Sequence, residues 1–436
     1  MGSVRSLVEE QLRLARERNP QLHALIRTLD ESALAEAAQA EAAPGGSLHG
    51  ITVSLKDNID VAGVLSTAGS PHHGREPAVE DATVTRLLRA AGAVIVAKNN
   101  MAEFAMGVVG RNDAFGDARN ARDARFISGG SSSGSGVAVA SGMSTVSLGT
   151  DTGGSGRVPA AVNGVVGIRP TLGRVSNRGV LPVGKSFDTV TPIARDVRTA
   201  AAVLATLDWH DPQDPTSVDH ERVPVDSLLD NGIDGLRIGV AGGFFREHVD
   251  PGVRSVVDSA VEKLTGAREI EVPGAALAQE KMLEIMYPEA VAVHARRLRD
   301  EPDTIDADVL RRLRIGQGVT AGRAARAREW QRDFRRQVDA LFETCDVVLT
   351  PTIPVDVPRR DAVDLVASTQ EIGRFCYVWS CYGGPALSLP CGTHPRSGMP
   401  VGLQLTAAPW QEHHLLQAAA HFEKALALGQ GSPRPS

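Results

Sequence analysis

Apolar residues recur at helical spacing from the start of the chain. Val4, Leu7, Val8, Leu12 and Leu14 stand among charges over residues 4–18, which predicts an amphipathic helix. Residues 31–43 (ESALAEAAQAEAA) are rich in strong helix formers and predict a second one, closed by Pro44, Gly45 and Gly46. The pattern then changes. Residues 51–55 (ITVSL) are short, apolar and β-branched, and predict a strand that delivers Lys56. A helix is predicted over 81–91 and a buried strand over 93–97 (AVIVA). Further strands are predicted at 146–148, 236–240, 347–349, 385–390 and 402–405. Helices are predicted at 252–264, 306–344 and 412–428. Such alternation of short apolar strands and helices predicts an α/β fold with helices on both faces of a sheet. Residues 209–234, polar and rich in Pro and Asp, read as a surface connection, and no internal repeat is visible.

Two Gly/Ser clusters interrupt this alternation. Residues 128–136 (SGGSSSGSG) have the composition of a linker, but an apolar helix-like run (137–140) and the 146–148 strand follow at once. The second cluster, 150–156 (TDTGGSG), comes directly after. Placed inside a strand–helix alternation, such loops suit backbone that approaches a ligand or another backbone closely.

Composition narrows the class. With aromatics at 4%, the core must be built mainly from Ala, Val, Leu and Ile. A net charge of −6 gives no basic footprint and so no expectation of a nucleic-acid partner. The six lysines are Lys56, Lys98, Lys185, Lys263, Lys281 and Lys424, so a lysine within an apolar segment stands out. Cys345, Cys376, Cys381 and Cys391 lack CxxC spacing and predict free thiols, with neither a disulfide framework nor a zinc site. The N-terminal residues carry alternating charge without an apolar signal-peptide core, and no run is long enough to span a bilayer. The expected setting is cytoplasmic, with no membrane contact.

Thr152-Gly153-Gly154-Ser155 could place a hydroxyl beside a turn of unshielded N–H donors, the parts an acyl-transfer site needs; a plain Gly-rich turn has the same composition. Other templates fail. Position 157 is Arg, so Ser155 is not in a GxSxG elbow, and no serine stands three residues before any lysine. HExxH is missing, and the region of Ser155 contains neither GxxxxGK[ST] nor GxGxxG. His413 and His414 read as a solvated helix start. A base for a serine would then be sought among lysines, whose pKa falls on burial.

Residues 128–176 (SGGSSSGSGVAVASGMSTVSLGTDTGGSGRVPAAVNGVVGIRPTLGRVS) resemble the signature of the amidase signature family almost without gaps. The resemblance continues through GITVSLKDNIDVAG (50–63), KNNMAEFAMG (98–107), SFDTVTPIARDV (186–197), DVVLTPTIP (346–354) and 383–405, and so covers most of the chain. It implies a large mixed, twisted sheet flanked by helices, as one domain over 1–436. A helical segment would occupy about 1–45 and the signature core about 50–200. A variable helical region at about 275–345 would form part of the substrate pocket. It also implies that Ser155 forms the acyl-enzyme, that Ser131, after a cis peptide bond, relays protons, and that Lys56 is the base. The N–H groups of Thr152, Gly153, Gly154 and Ser155 would form the oxyanion hole. No metal or cofactor is implied. Asp151 and Arg157 are expected to brace the nucleophile loop, with a substrate carboxylate as a lesser alternative for Arg157. Ser132 is expected as a hydrogen-bonding neighbour and Lys98 as a structural lysine. Ser133 and Thr191 stand where the family usually has glycine, and Gly136 where alanine is common.

The expected function is hydrolysis of a small-molecule amide to an acid plus ammonia or an amine, with a homodimer as a possible assembly. The alternatives are the A subunit of a glutamyl-tRNA amidotransferase and a catalytically silent binding homologue. Pocket walls are expected from 104–123, 282–314 and 374–382. In the last, Phe375, Tyr377, Trp379 and Tyr382 fit a pocket wall and a core equally. The Arg-rich stretch 308–337 is expected to be a solvated helix face.

Overall fold

The computed structural model describes residues 3–426 except 222, 225–227, 264–265 and 363. Its centre is an eleven-stranded mixed sheet. In chain order the strands are β1 (Leu25–Thr28), β2 (Thr52–Lys56), β3 (Val94–Asn99), β4 (Val146–Thr150), β5 (Val166–Arg169), β6 (Val190–Ala194), β7 (Ile238–Ala241), β8 (Arg268–Ile270), β9 (Val347–Pro351), β10 (Ala386–Thr393) and β11 (Pro400–Thr406). Across the sheet they run β1-β3-β2-β4-β6-β5-β10-β11-β9-β7-β8. The β3-β2-β4 and β9-β7-β8 groups are parallel, and the strands between them pair antiparallel.

The two faces of the sheet differ, and the difference explains the Gly/Ser composition. Strand residues alternate sides. On one face Val53, Leu55, Val146, Leu148, Leu387, Leu389, Val401, Leu403 and Leu405 join a fully apolar core with helices Thr83–Ala90, Val197–Leu207, Pro251–Glu262 and Glu412–Ala425. The alternate positions on the other face are small or polar: Ser54, Ser147, Ser388, Gly402 and Gln404, all buried. Helices Ser133–Ala140 and Arg157–Asn163 lie against this face. At Gly136 an added Cβ would sit 2.9 Å from the Pro159 carbonyl oxygen, so with glycine here the two helices approach closely and a larger residue would require a shift. Helix propensity alone argues against a helix starting in SGSG; close packing on a small-residue surface overrides it.

Several boundaries differ from the sequence expectation. The helix expected over 306–344 is two helices, Ala307–Gln317 and Ala321–Phe342, each with its own N-cap: Asp306 accepts from Asp308 and Val309 N–H, and Thr320 from Arg323 N–H. The connection at 209–234 is not purely superficial, because the Asp211 and Asp214 side chains are buried. Asp211 accepts from Thr83 Oγ1 (2.6 Å) and Ser176 Oγ (2.8 Å), stapling the connection to the body of the fold. Its residues 222 and 225–227, residue 264, and residues 427–428 of the last predicted helix lie outside the described residues. The sequence pattern carries no expectation of strands β1, β5, β6 and β8; each has three to five residues, too few to show a period. Among the described residues no helix is long and apolar enough to cross a membrane.

Candidate active site

Three loop or strand ends converge under the polar face. Lys56 is the last residue of β2 and is fully buried. The peptide bond Gly130–Ser131 is cis, and Ser131 precedes the Ser133–Ala140 helix. Lys56 Nζ lies 2.7 Å from Ser131 Oγ and 2.7 Å from Thr150 Oγ1, the end of β4. Ser132 joins the loops: its Oγ donates to the Thr150 carbonyl (3.0 Å) and accepts from Thr150 N–H (3.1 Å), and its N–H donates to the Ser155 carbonyl (3.2 Å). Ser155 itself is almost buried and faces a cleft.

Electrostatics leave the Lys56 amine able to lose its proton near neutrality. Burial dominates and drives its pKa down to about 7, against the opposing pull of the Asp151 and Asp188 carboxylates. A neutral amine that donates to Thr150 keeps its lone pair available for the Ser131 hydroxyl proton.

The loop that carries Ser155 is braced from behind. Arg157 Nε and Nη2 donate to the two Asp151 oxygens, each at 2.9 Å, and both residues are completely buried. Burial alone would raise the Asp151 pKa; Arg157, Arg169 and the Gly154 N–H override it and hold the carboxyl well below its usual range. Arg157 Nη1 also donates to Gln404 (2.8 Å) and the Cys376 carbonyl (3.2 Å), and Nη2 to Ser380 (2.7 Å). Arg157 is thus committed inward and does not reach the cleft, which removes the substrate-carboxylate alternative. Gly156 packs under Thr191: a Cβ there would lie 2.3 Å from Thr191 Cγ2.

The four expected N–H donors divide. Gly154 N–H donates to Asp151 Oδ1 at 2.7 Å, so in this geometry it braces the loop instead of pointing at a ligand. Among the described residues no acceptor pairs with the N–H groups of Thr152, Gly153 or Ser155. Thr152, Gly153 and Ser155 all line the cleft.

That cleft is walled by Ala105, Met106, Gly107, Val108, Val183 and Met286, with Tyr287, Arg312, Thr369 and Tyr377 as its remaining polar lining. Each of the three expected segments contributes. Of the four clustered aromatics only Tyr377 lines it; Phe375, Trp379 and Tyr382 belong to the apolar core. Arg312 contradicts the expectation of a solvated Arg-rich face, being almost buried where it meets the cleft. Lys98 is buried against the Asp57 carboxylate (3.3 Å) and the Ile59 carbonyl (2.6 Å). His413 and His414 are half-buried in the first turn of the last helix. Among the described residues no group of three or more His, Cys, Asp or Glu is arranged to hold a metal ion.

Sequence reasoning missed Thr150, Arg169 and Asp188. The Asp188 carboxylate accepts from Thr152 Oγ1 (2.7 Å) and from Val183 and Gly184 N–H (2.8 and 3.0 Å). Burial nevertheless raises its pKa to about 6. Arg169 donates to the Asp151 and Phe187 carbonyls. The available signal was an Asp and an Arg inside otherwise apolar segments.

The family model for amidases matches residues 6–416. The chain belongs to the amidase family. It is 35% identical over 378 residues to AtzE of the 1-carboxybiuret hydrolase of Pseudomonas sp. (strain ADP), covering 85% of this chain and 83% of that one. It is 37% identical over 450 residues to the A subunit of the glutamyl-tRNA(Gln) amidotransferase of Anaeromyxobacter sp. (strain K), covering 92% and 88%. The peptide amidase PAM, solved with the competitive inhibitor chymostatin, superposes with a TM-score of 0.87 at 30% identity over 97% of this chain and 94% of that one. The fold is that of amidase-signature enzymes, and the chain is a hydrolase of C–N bonds.

Proposed function

We propose that this amidase hydrolyses the amide bond of a small molecule through an acyl-enzyme on Ser155. The observation that carries this reading is the buried 2.7 Å contact between Lys56 Nζ and Ser131 Oγ, with the lysine pKa near 7. Neutral Lys56 takes the Ser131 hydroxyl proton while Ser131 takes that of Ser155, and Ser155 Oγ attacks the scissile carbonyl carbon. The N–H groups of Thr152, Gly153 and Ser155 hold the resulting oxyanion. Collapse breaks the C–N bond as the relay returns the proton to the leaving nitrogen. Water, deprotonated by the same relay, then releases the acid. Asp151, Arg157 and Ser132 act as supports for the two loops.

The relationship to a carboxybiuret hydrolase supports a small C–N substrate. The test is ammonia release from a panel of simple amides by the purified chain, wild type beside Ser155→Ala. Release by the wild type alone supports the reading. Equal release by both refutes Ser155 as nucleophile. Turnover only when partner proteins are added would instead support the reading that the amidotransferase relatives suggest.

A further inference from the structure

The cleft beside Ser155 is too small for a substrate as it stands. Its free space is about 30 Å³, room for about two waters and for no amide. Every described residue that lines it is buried except Gly107, which is half-buried. Beyond Met106 and Gly107 lies a second cavity of about 310 Å³, and these two residues line both spaces. Arg111, Asp113 and Asp303 on its wall are exposed, so this outer chamber opens to solvent. The partition between the two is a strap over 105–111, tied down at both ends. At one end Phe104 N–H donates to the Ala68 carbonyl (2.9 Å), and its ring packs against His294 and Arg297. At the other, Asn112 Nδ2 donates to the Gly69 and Met101 carbonyls, each at 2.8 Å. Between these anchors the backbone of residues 107–111 makes no hydrogen bond among the described residues, although Val108, Val109 and Gly110 are buried. Buried backbone groups in that condition call for a partner, and Gly107, Val109, Gly110 and Arg111 all line the chamber. The chamber is also one-sided in charge. Arg111 is paired with Asp113, whereas Glu103, Asp303 and Asp306 on its wall join no salt bridge among the described residues.

We infer that Met106 is the gate between Ser155 and the outer chamber, and that the chamber takes the far end of an extended amide that is hydrogen-bonding and not anionic. This rests on Ser155 being the nucleophile. Met106 carries the one side chain common to both spaces, Gly107 having none, and its unbranched thioether adapts by rotation without moving the backbone. With Met106 turned aside the two spaces join, and the chain beyond the scissile bond runs out along residues 107–111. Amide groups on that chain supply the partners that this backbone lacks. A carboxylate there would meet Glu103, Asp303 and Asp306 with like charge.

The test has two arms. In the first, adipamide, adipamate and hexanamide are compared as substrates of equal chain length whose far ends are an amide, an anion and a methyl group. The expected kcat/KM for adipamide exceeds that of each of the others by about tenfold, the worth of one or two hydrogen bonds. In the second, labelling of Ser155 by a long-chain fluorophosphonate is timed in the wild type, Met106→Ala and Met106→Trp, with thermal unfolding of each variant as the check on folding. A gate moves the two variants in opposite directions: Met106→Ala labels faster than the wild type and Met106→Trp at least about tenfold slower, whereas mere structural damage slows both. Wild-type labelling with both variants unchanged, or both slowed alike, would overturn the gate and leave the nucleophile intact. Adipamate or hexanamide turned over as well as adipamide would overturn the chamber's part. Neither labelling nor cleavage of any amide by the wild type would fell the nucleophile assignment, and this inference with it.

Discussion

Activity should titrate on Lys56, and the structure gives the direction. In the proposed relay the base works unprotonated, and burial lowers its pKa to about 7, so kcat/KM should fall as pH drops through that value. For a single site at about 7, the neutral fraction goes from roughly nine-tenths at pH 8 to roughly one-hundredth at pH 5, a loss of about ninetyfold. Asp188 modifies the shape. Its carboxyl titrates at about 6, and its anion favours the Lys56 ammonium. As Asp188 takes up a proton, that support is withdrawn, so the two protonations oppose each other and the limb spreads beyond one unit. Asp188→Asn removes the anion and should move the limb to lower pH. The assay is initial-rate hydrolysis of one simple amide from pH 5 to 9 at constant ionic strength. A profile flat to within a few-fold across pH 5–8, or one still rising toward the ordinary lysine range above pH 9, would refute the reasoning.

Other consequences follow from burial and geometry. Arg157→Ala leaves the Asp151 carboxylate buried without its main partner and should cost about 3–5 kcal/mol of stability, read by urea denaturation; an unchanged midpoint would contradict the bracing role. Gly154 has φ +126° and an added Cβ would lie 2.7 Å from Cys376 Cβ, so Gly154→Ala should cost about 1–3 kcal/mol and most of kcat, measured by thermal unfolding and turnover. Burial raises the Glu423 pKa to about 7 while its carboxylate accepts from Val197 N–H. A raised carboxyl contributes stability that is present below its unfolded pKa and lost as pH rises through about 7. Glu423→Gln should therefore raise Tm at pH 8 and change it little at pH 5.

The site was legible to the degree that its residues sit in long motifs. Lys56, Ser131 and Ser155 could be named from the signature resemblance, and the alternating strands and helices gave the α/β class. Their meeting could not be read: Lys56 and Ser131 are 75 residues apart, and nothing local says which loop tops which strand. Thr150 ends a strand whose period gives no hint that its hydroxyl faces a lysine. Arg312 looked like one solvated arginine among many, because RRLRIG carries no sign of which arginine turns inward. The short strands β5 and β6 were hidden because they exist through pairing with β10 and β4, a tertiary cause. The Gly154 N–H, expected to face a ligand, is claimed by Asp151 three residues earlier, a competition that motif matching does not express.

The most direct test of the central claim is the site of covalent capture. The purified chain, treated with a fluorophosphonate at pH 8, digested and analysed by mass spectrometry, should carry a single adduct on Ser155, formed far more slowly in Lys56→Ala. An adduct on another residue, or an enzyme that cleaves amides while Ser155 stays unmodified, would contradict the account.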